Sequence, residues 1–272
     1  VGRELTLEKE KKEVRNISDD VIMDIKNLYV DMPGEMVRSV SLSIRRGEIL
    51  GIAGLSGQGK LGIPNGIMGL YGAGGTVIYN GKNIDVSDPR SSLNCGIAFV
   101  SEDRRGVGLL QDESIDWNIT FNAMQIQNKF MDKFGFIKVR SDKKMREVSE
   151  EYIKRLQIKC TGAHQKARHL SGGNQQKVCL AKAFVCEPSL LFVSEPTRGI
   201  DIGAKKIVLD ALRDVNREKG TTIVMISSEL EELRSIADRI AVVNEGKIFG
   251  ILDASESVEK FGLMMSGESI SE

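Results

Sequence analysis

An excess of charge of either sign, long apolar runs and paired cysteines are all missing from this chain. Its 38 Lys and Arg balance 38 Asp and Glu, so the formal net charge of the 272 residues is zero. A general nucleic-acid binder carries a basic excess, and no nucleic-acid partner is expected. No apolar stretch is long enough to span a bilayer, and the first residues do not read as a signal peptide. The four cysteines, Cys95, Cys160, Cys179 and Cys186, include no C-x-x-C pair. Reduced core thiols fit them better than a disulfide or a metal centre, and no protein-built metal site is expected. A first residue of Val rather than Met is what a piece of a longer chain would carry.

Hydrophobic residues make up 41% and charged residues 28%, enough for a sizeable core in one large α/β domain with an insertion. Residues 1–17, VGRELTLEKEKKEVRNI, are dense in charge and read as a linker. VIMDIKNLYV, VRSVSLSI and GEILGIAG read as strands, the second by its alternation and the third by its apolar run into a glycine-rich turn. Asn80-Gly81 marks a hairpin turn. From SLLFVSE onward strands and helices alternate as in a parallel sheet: a helix from Gly203 to Lys219, the strand TTIVMISS, the helix ELEELRSIAD, and a final strand–turn–strand. Between about 104 and 170 the pattern turns polar and helical, an insertion in which Met124, Phe130, Met131 and Phe134 read as packing groups. The domain is placed at 18–255, with 256–272 as a tail.

GIAGLSGQGKLG places Gly54, Leu55, Ser56, Gly57, Gln58, Gly59, Lys60 and Leu61 directly after an apolar strand. Glycines let successive backbone N–H groups converge on a phosphate, the next helix adds its N-terminus, and the Lys reaches the terminal phosphates. Such loops end in Ser or Thr, whose hydroxyl binds magnesium, and Leu61 has none. Gly62, Pro64 and Gly66 crowd the following helix, which is expected to be short or distorted and a poorer anion site. A second candidate is LLFVSEPTRGID, an apolar strand delivering Glu195. A nucleotide hydrolase carries an Asp just before that Glu to hold magnesium, and here the residue is Ser194.

In HLSGGNQQKVCLAKAF, a Ser and two glycines open a helix, an N-cap with room for close approach. With this segment the sequence resembles the ATP-binding cassette (ABC) family, over nearly the whole chain after residue 20. Leu170, Ser171, Gly172, Gly173, Asn174 and Gln175 look like its signature motif, Ser194-Glu195-Pro196-Thr197 like its Walker B segment, and Gly199-Ile200-Asp201 like its D-loop. The resemblance implies an α/β fold: a P-loop NTPase (RecA-like) core with an antiparallel β-subdomain and a helical subdomain insertion. LSGGNQQK, EPTRGIDIGAKK and FVSEDRR are most similar to the second cassette of bacterial sugar-importer ATPases of the ribose/galactose/xylose type, with nucleoside importers as the alternative. VGREL and MMSGES resemble the tails of the two cassettes of such tandem proteins.

The resemblance implies ATP and Mg2+ as cofactors. It implies an N-terminal sister cassette, a membrane permease and, indirectly, a sugar-binding protein as partners, and a peripheral place on the cytoplasmic face of the bacterial membrane. Nucleotide lies between two cassettes, so the chain contributes to two sites. At its own, Lys60 would hold the β- and γ-phosphates and Glu195 would polarise the attacking water. The two metal positions are Leu61 and Ser194, the Q-loop position is Glu102, and the switch-histidine position is Ser228. The only 2 histidines, His164 and His169, precede the signature. Four departures on one nucleotide shell imply a degenerate site and an isolated chain with weak ATPase activity or none. At the partner's site, Ser171, Gly172 and Gly173 would donate to the γ-phosphate and Asp201 would contact across the interface.

Two smaller sites stay open at this level. Tyr29 stands near the adenine-stacking position, though strand packing suits it better. Arg104 and Arg105 either face the membrane partner or form a solvated basic turn. A nucleotide-responsive scaffold remains the alternative to an energy-coupling ATPase. Zero net charge and the sugar-type motifs argue against a DNA-repair or translation cassette.

Overall fold

The computed structural model describes residues 17–134 and 137–268. The expected linker therefore lies, Ile17 apart, outside the described residues. The chain begins with β1 (Val21–Val30), β2 (Val37–Arg45) and β3 (Ile49–Ala53), then α1 (Gly62–Ile67), β4 (Ala73–Tyr79), β5 (Lys82–Asn83), α2 (Pro89–Asn94) and β6 (Ile97–Val100). The insertion holds a π-helical turn (Arg104–Gly108), α3 (Ile115–Gln127), β7 (Met131–Phe134), β8 (Ile137–Arg140) and α4 (Asp142–Arg155). There follow α5 (Gly172–Val185), β9 (Leu190–Ser194), α6 (Ile202–Lys219), β10 (Thr222–Ile226), α7 (Leu230–Ile236), β11 (Arg239–Asn244), β12 (Lys247–Asp253) and α8 (Val258–Ser266).

Ten strands form one sheet in the order β5-β4-β1-β2-β12-β11-β3-β10-β9-β6. β11, β3, β10, β9 and β6 run parallel, whereas β2, β1, β4 and β5 are antiparallel. The two halves join through β12, which is antiparallel to β11 and meets β2 in parallel at Lys247 and Ser39. The central strands are apolar but for a few polar residues at their ends, because both faces are covered, as parallel sheets require. On β9, Leu191 and Val193 face the helical side while Leu190 and Phe192 face the antiparallel half. β3 and β10 split in the same way, with Ile49 and Met225 on one side and Leu50 and Val224 on the other.

The insertion is helical as expected, but it also contains the hairpin β7–β8. The Arg140 guanidinium lies 5.0 Å from the centre of the Trp117 ring, which fixes the hairpin to α3. Met124 is buried and Phe130 packs on the main core, in keeping with packing roles. Met131 is half-buried, and the Phe134 side chain lies outside the described residues. Residues 256–272, expected as a tail, include α8, whose Phe261 and Met264 are buried in the core where the helix packs on β11 and β12. That stretch is a packed helix as far as Ser266.

Candidate functional site

β3 runs from the buried centre of the sheet straight into Gly54, so the loop Gly54–Leu61 is delivered at the C-terminal edge of the parallel strands. Only glycine suits position 59: its φ is +98°, and an added Cβ would stand 2.5 Å from the Met36 carbonyl oxygen. Lys60 is 1% exposed and its ammonium donates to the Leu55 carbonyl at 3.3 Å, folded under the loop. Gln58 turns away: its side-chain oxygen accepts from Glu245 N–H and its carbonyl from Gly246 N–H. Leu55, Ser56 and Gly57 are exposed. α1 has six residues, short as expected, but Pro64 is its third residue, where a missing N–H breaks no intrahelical bond.

β9 and β10 bring the next two groups together. Glu195 has a φ of +47°, a left-handed conformation that costs a non-glycine residue about 1–2 kcal/mol. Its amide donates to Ile226 O at 2.8 Å, and its carboxylate accepts from the Ser228 hydroxyl at 2.6 Å. The strained backbone is thus held from the neighbouring strand, and the positions expected as the Walker B glutamate and the switch histidine are in direct contact. Ser194 is fully buried at the end of β9, and its hydroxyl has no partner among the described residues. Behind them lies a carboxylate missed from sequence: Glu232, 3% exposed, which accepts from Ser227, Thr197 and Lys205.

Glu102 follows β6 and Ser101, and accepts at 3.4 Å from Asn65, whose amide also donates to Leu61 O at 2.8 Å. Burial lifts the Glu102 carboxyl above the ordinary carboxylate value, opposed by hydrogen bonds that include those of Asn65 and Ser101. An acid raised in the folded state binds more protons folded than unfolded. Its stabilising contribution is full below the ordinary carboxylate pKa and lost as pH rises through the folded value. Glu102→Gln should therefore melt above the parent at pH 7, with the gap closing as the pH falls below the carboxylate range. A gap that stays constant across that range in thermal melts would contradict this.

The signature turn stands apart from this cluster. Ser171 is exposed at the N-cap of α5, and its hydroxyl accepts from Asn174 at 2.9 Å, leaving its own proton free to donate. Gly172, Gly173 and Asn174 are half-buried beside it. Leu170 and Gln175 are different. Leu170 is buried in the core, and the Gln175 amide donates inward to Gln111 and to Ala167 O. Both belong to the string expected as the signature, and here they hold the turn from behind and are not on its face. Asp201 caps α6, accepting from Ala204 N–H at 2.9 Å, and that backbone bond holds its carboxyl below the usual range.

The two open positions are decided by contacts. Tyr29 is exposed, and its ring covers Gly74 on the paired strand β4, so it packs on its own sheet. Arg104 is neither a free basic turn nor a free outward face: its guanidinium donates to Gly172 O at 2.8 Å and tethers the π-helical turn to the signature. Arg105 is exposed.

At the two positions expected to hold a metal, the Leu61 side chain carries no oxygen and Ser194 only a buried hydroxyl, and among the described residues no group of three His, Cys, Asp or Glu is placed to ligate one. The loop N–H groups suit phosphate chemically, but Gly57, Gly59 and Leu61 already donate to a carboxylate, that of Glu35.

The sequence profile described as ABC transporter matches residues 37–198, from β2 through the phosphate loop and signature to the strand bearing Glu195. The chain belongs to the ABC transporter family. The ribose import ATP-binding protein RbsA of Clostridium tetani is 36% identical to this cassette over 262 residues, 96% of this chain and 49% of that protein. The xylose import ATP-binding protein XylG of Thermoanaerobacter pseudethanolicus is 37% identical over 263 residues, 94% and 50% of the two chains. The cassette thus spans about half the length of these curated relatives. A bacterial ABC transporter cassette solved as a dimer superposes with a TM-score of 0.71 at 23% identity, covering 86% of this chain and 100% of that one. That likeness carries the fold, an α/β P-loop NTPase.

Proposed function

We propose that this cassette is the second ATP-binding half of a tandem importer ATPase that energises monosaccharide uptake. It closes on an N-terminal sister cassette with ATP and pushes on a membrane permease at the cytoplasmic face, with a sugar-binding protein delivering substrate to the permease. Relatives named for ribose and xylose import support the substrate class, and their length, about twice the matched span, supports the sister cassette. In this reading the chain's own site is degenerate and its signature completes the sister's site. The observation that carries the division is the Ser171 turn. Its hydroxyl is exposed and free to donate, held from behind by Leu170, Gln175 and Arg104, while the metal positions hold Leu61 and an unpartnered Ser194.

The test uses the full-length tandem protein with its permease. Ser171→Arg places a bulky cation where a γ-phosphate must be met, and transport-coupled ATPase should fall by at least about a hundredfold, the loss expected of an oxyanion-type donor site. Ser171 is exposed, so the circular dichroism and melting of the variant should match the parent. Unchanged turnover would refute the assignment.

A second reading, a nucleotide-responsive scaffold, is favoured by the orphaned Ser194 alone. Lys60→Ala separates the two. A marked loss of turnover means that the chain's own site takes part in the cycle, and unchanged turnover means that it only frames the sister's site.

A further inference from the structure

The phosphate loop of this chain already holds an anion, and the anion is its own. The Glu35 carboxylate uses both oxygens: one accepts from Gly57 N–H at 2.8 Å, the other from Gly59 N–H at 2.9 Å and Leu61 N–H at 3.2 Å. These are the converging amides that give a nest its affinity for phosphate oxygens. Glu35 is only 7% exposed, so it is not a solvated side chain brushing past the loop. A buried carboxylate persists where charge-assisted hydrogen bonds replace its water, and here the loop amides supply them.

The backbone brings Glu35 there. Met32-Pro33-Gly34-Glu35 closes a turn, with Glu35 N–H donating to Met32 O at 3.0 Å and Gly34 at φ +78°, the Pro-Gly pattern of a type II turn. Beyond it, Arg38 and Ser39 donate to Gly246 O, and Gly246 N–H donates to Gln58 O within the loop. The β1–β2 connection, the phosphate loop and the β11–β12 turn are therefore tied together, and Glu35 is ordered before any ligand arrives.

We propose that Glu35 is an internal ligand of the phosphate loop, and that a polyphosphate enters this site only by displacing it. A carboxylate and a phosphoryl group are both anionic acceptors for the same three amides, so they exclude each other. Because the carboxylate is tethered, it competes at an effective concentration of about millimolar or more. Apparent affinity is lowered by the fraction of molecules in which the loop is open. This deepens the degenerate-site reading and rests on Gly54–Leu61 being the phosphate loop. It adds a cause that metal ligands do not supply, because the cradle itself is filled.

The experiment is carried out in EDTA on the full chain, with ATP and inorganic tripolyphosphate as probes. Glu35→Ala empties the cradle and should bind both at least about tenfold more tightly than the parent, with a matching rise in thermal protection. Glu35→Gln keeps the size but loses the charge and one acceptor oxygen, and should lie between the two, which covers the case in which the alanine variant folds poorly. Adding Lys60→Ala to Glu35→Ala should reverse the gain and place it at this loop. Folded variants that bind no more tightly than the parent would overturn the proposal, as would a gain that survives Lys60→Ala. Without metal, the result does not depend on whether the Leu61 and Ser194 side chains could hold one. Tight binding by the parent that appears only with Mg2+ would instead refute the degenerate-metal reading.

Discussion

Arg239→Met is expected to lower the stability of this chain by about 3 kcal/mol, the lower end of the cost of stripping one partner from a buried ion pair. Glu48 is 1% exposed, and the Arg239 guanidinium meets it with two bonds, Nε at 2.8 Å and Nη2 at 2.9 Å, the fork geometry that makes such pairs strong. Arg239 also donates to Ser43 O, so one side chain ties β11 to the start of β3 and to β2. The Glu48 contact raises the Arg239 pKa, and the arginine stays charged. Methionine keeps most of the aliphatic stem and leaves Glu48 buried without its cation. At about 2–4 °C per kcal/mol for a chain of this size, the melting temperature should drop by roughly 6–12 °C. Adding Glu48→Gln should recover part of the loss, since it removes the stranded charge. A drop within 2 °C, as about 0.5 kcal/mol would give, would mean that the pair is no more than a surface bridge. The consequence reaches the site, because β3 is the strand that delivers Gly54 and the loop.

The parts of the fold legible in the sequence are those written in side-chain pattern. β3, β9 and β10 are buried at every position and apolar but for Ser194 and Thr222 at two strand ends, because both faces are covered, and Asn80-Gly81 turns β4 into β5 as read. Three things were less legible. Leu170 and Gln175 stand in the signature string beside Ser171, yet successive residues at a helix start point in different directions, so the string mixes presented and buried groups. In α8, Phe261 and Met264 are three residues apart, a spacing that marks a packed face, but the helix is short and its stretch is read by likeness to a tail. Glu35 is the most instructive case. Its partners are backbone amides 22 to 26 residues away, and amides have no letter in a sequence. The one signal present is the Pro33-Gly34 turn, which says that the chain folds sharply there and not what the next carboxylate touches. Glu102 and Ser228 are legible as departures from a pattern, whereas the Ser228–Glu195 contact needed two neighbouring strands to be placed.

The remaining prediction restores what the two departures removed. Leu61→Thr with Ser194→Asp returns a hydroxyl to the loop and a carboxylate to the end of β9, the two oxygens that a nucleotide-bound magnesium needs. The quantity to measure is the ratio of ATP affinities with Mg2+ and with EDTA. Both measurements contain the Glu35 contact, so the ratio cancels it and reports the metal positions alone. In the parent the ratio should stay within about threefold of one, since the Leu61 side chain offers no oxygen and Ser194 only a buried hydroxyl. Each restored charge-assisted contact is worth about 1.5–3 kcal/mol, so the double variant should show a ratio of at least about a hundredfold. Stability should move the other way without ligand. Ser194 is fully buried, and a carboxylate there has no cation until metal arrives, so the double variant should melt below the parent in EDTA and regain stability with Mg-ATP. The single variants separate the contributions: Leu61→Thr alone should leave EDTA stability close to the parent's, while Ser194→Asp alone should carry most of the loss. A ratio near one in the double variant, with the fold intact, would mean that the metal positions are not where Leu61 and Ser194 stand, and the degenerate-site reading would fall with them.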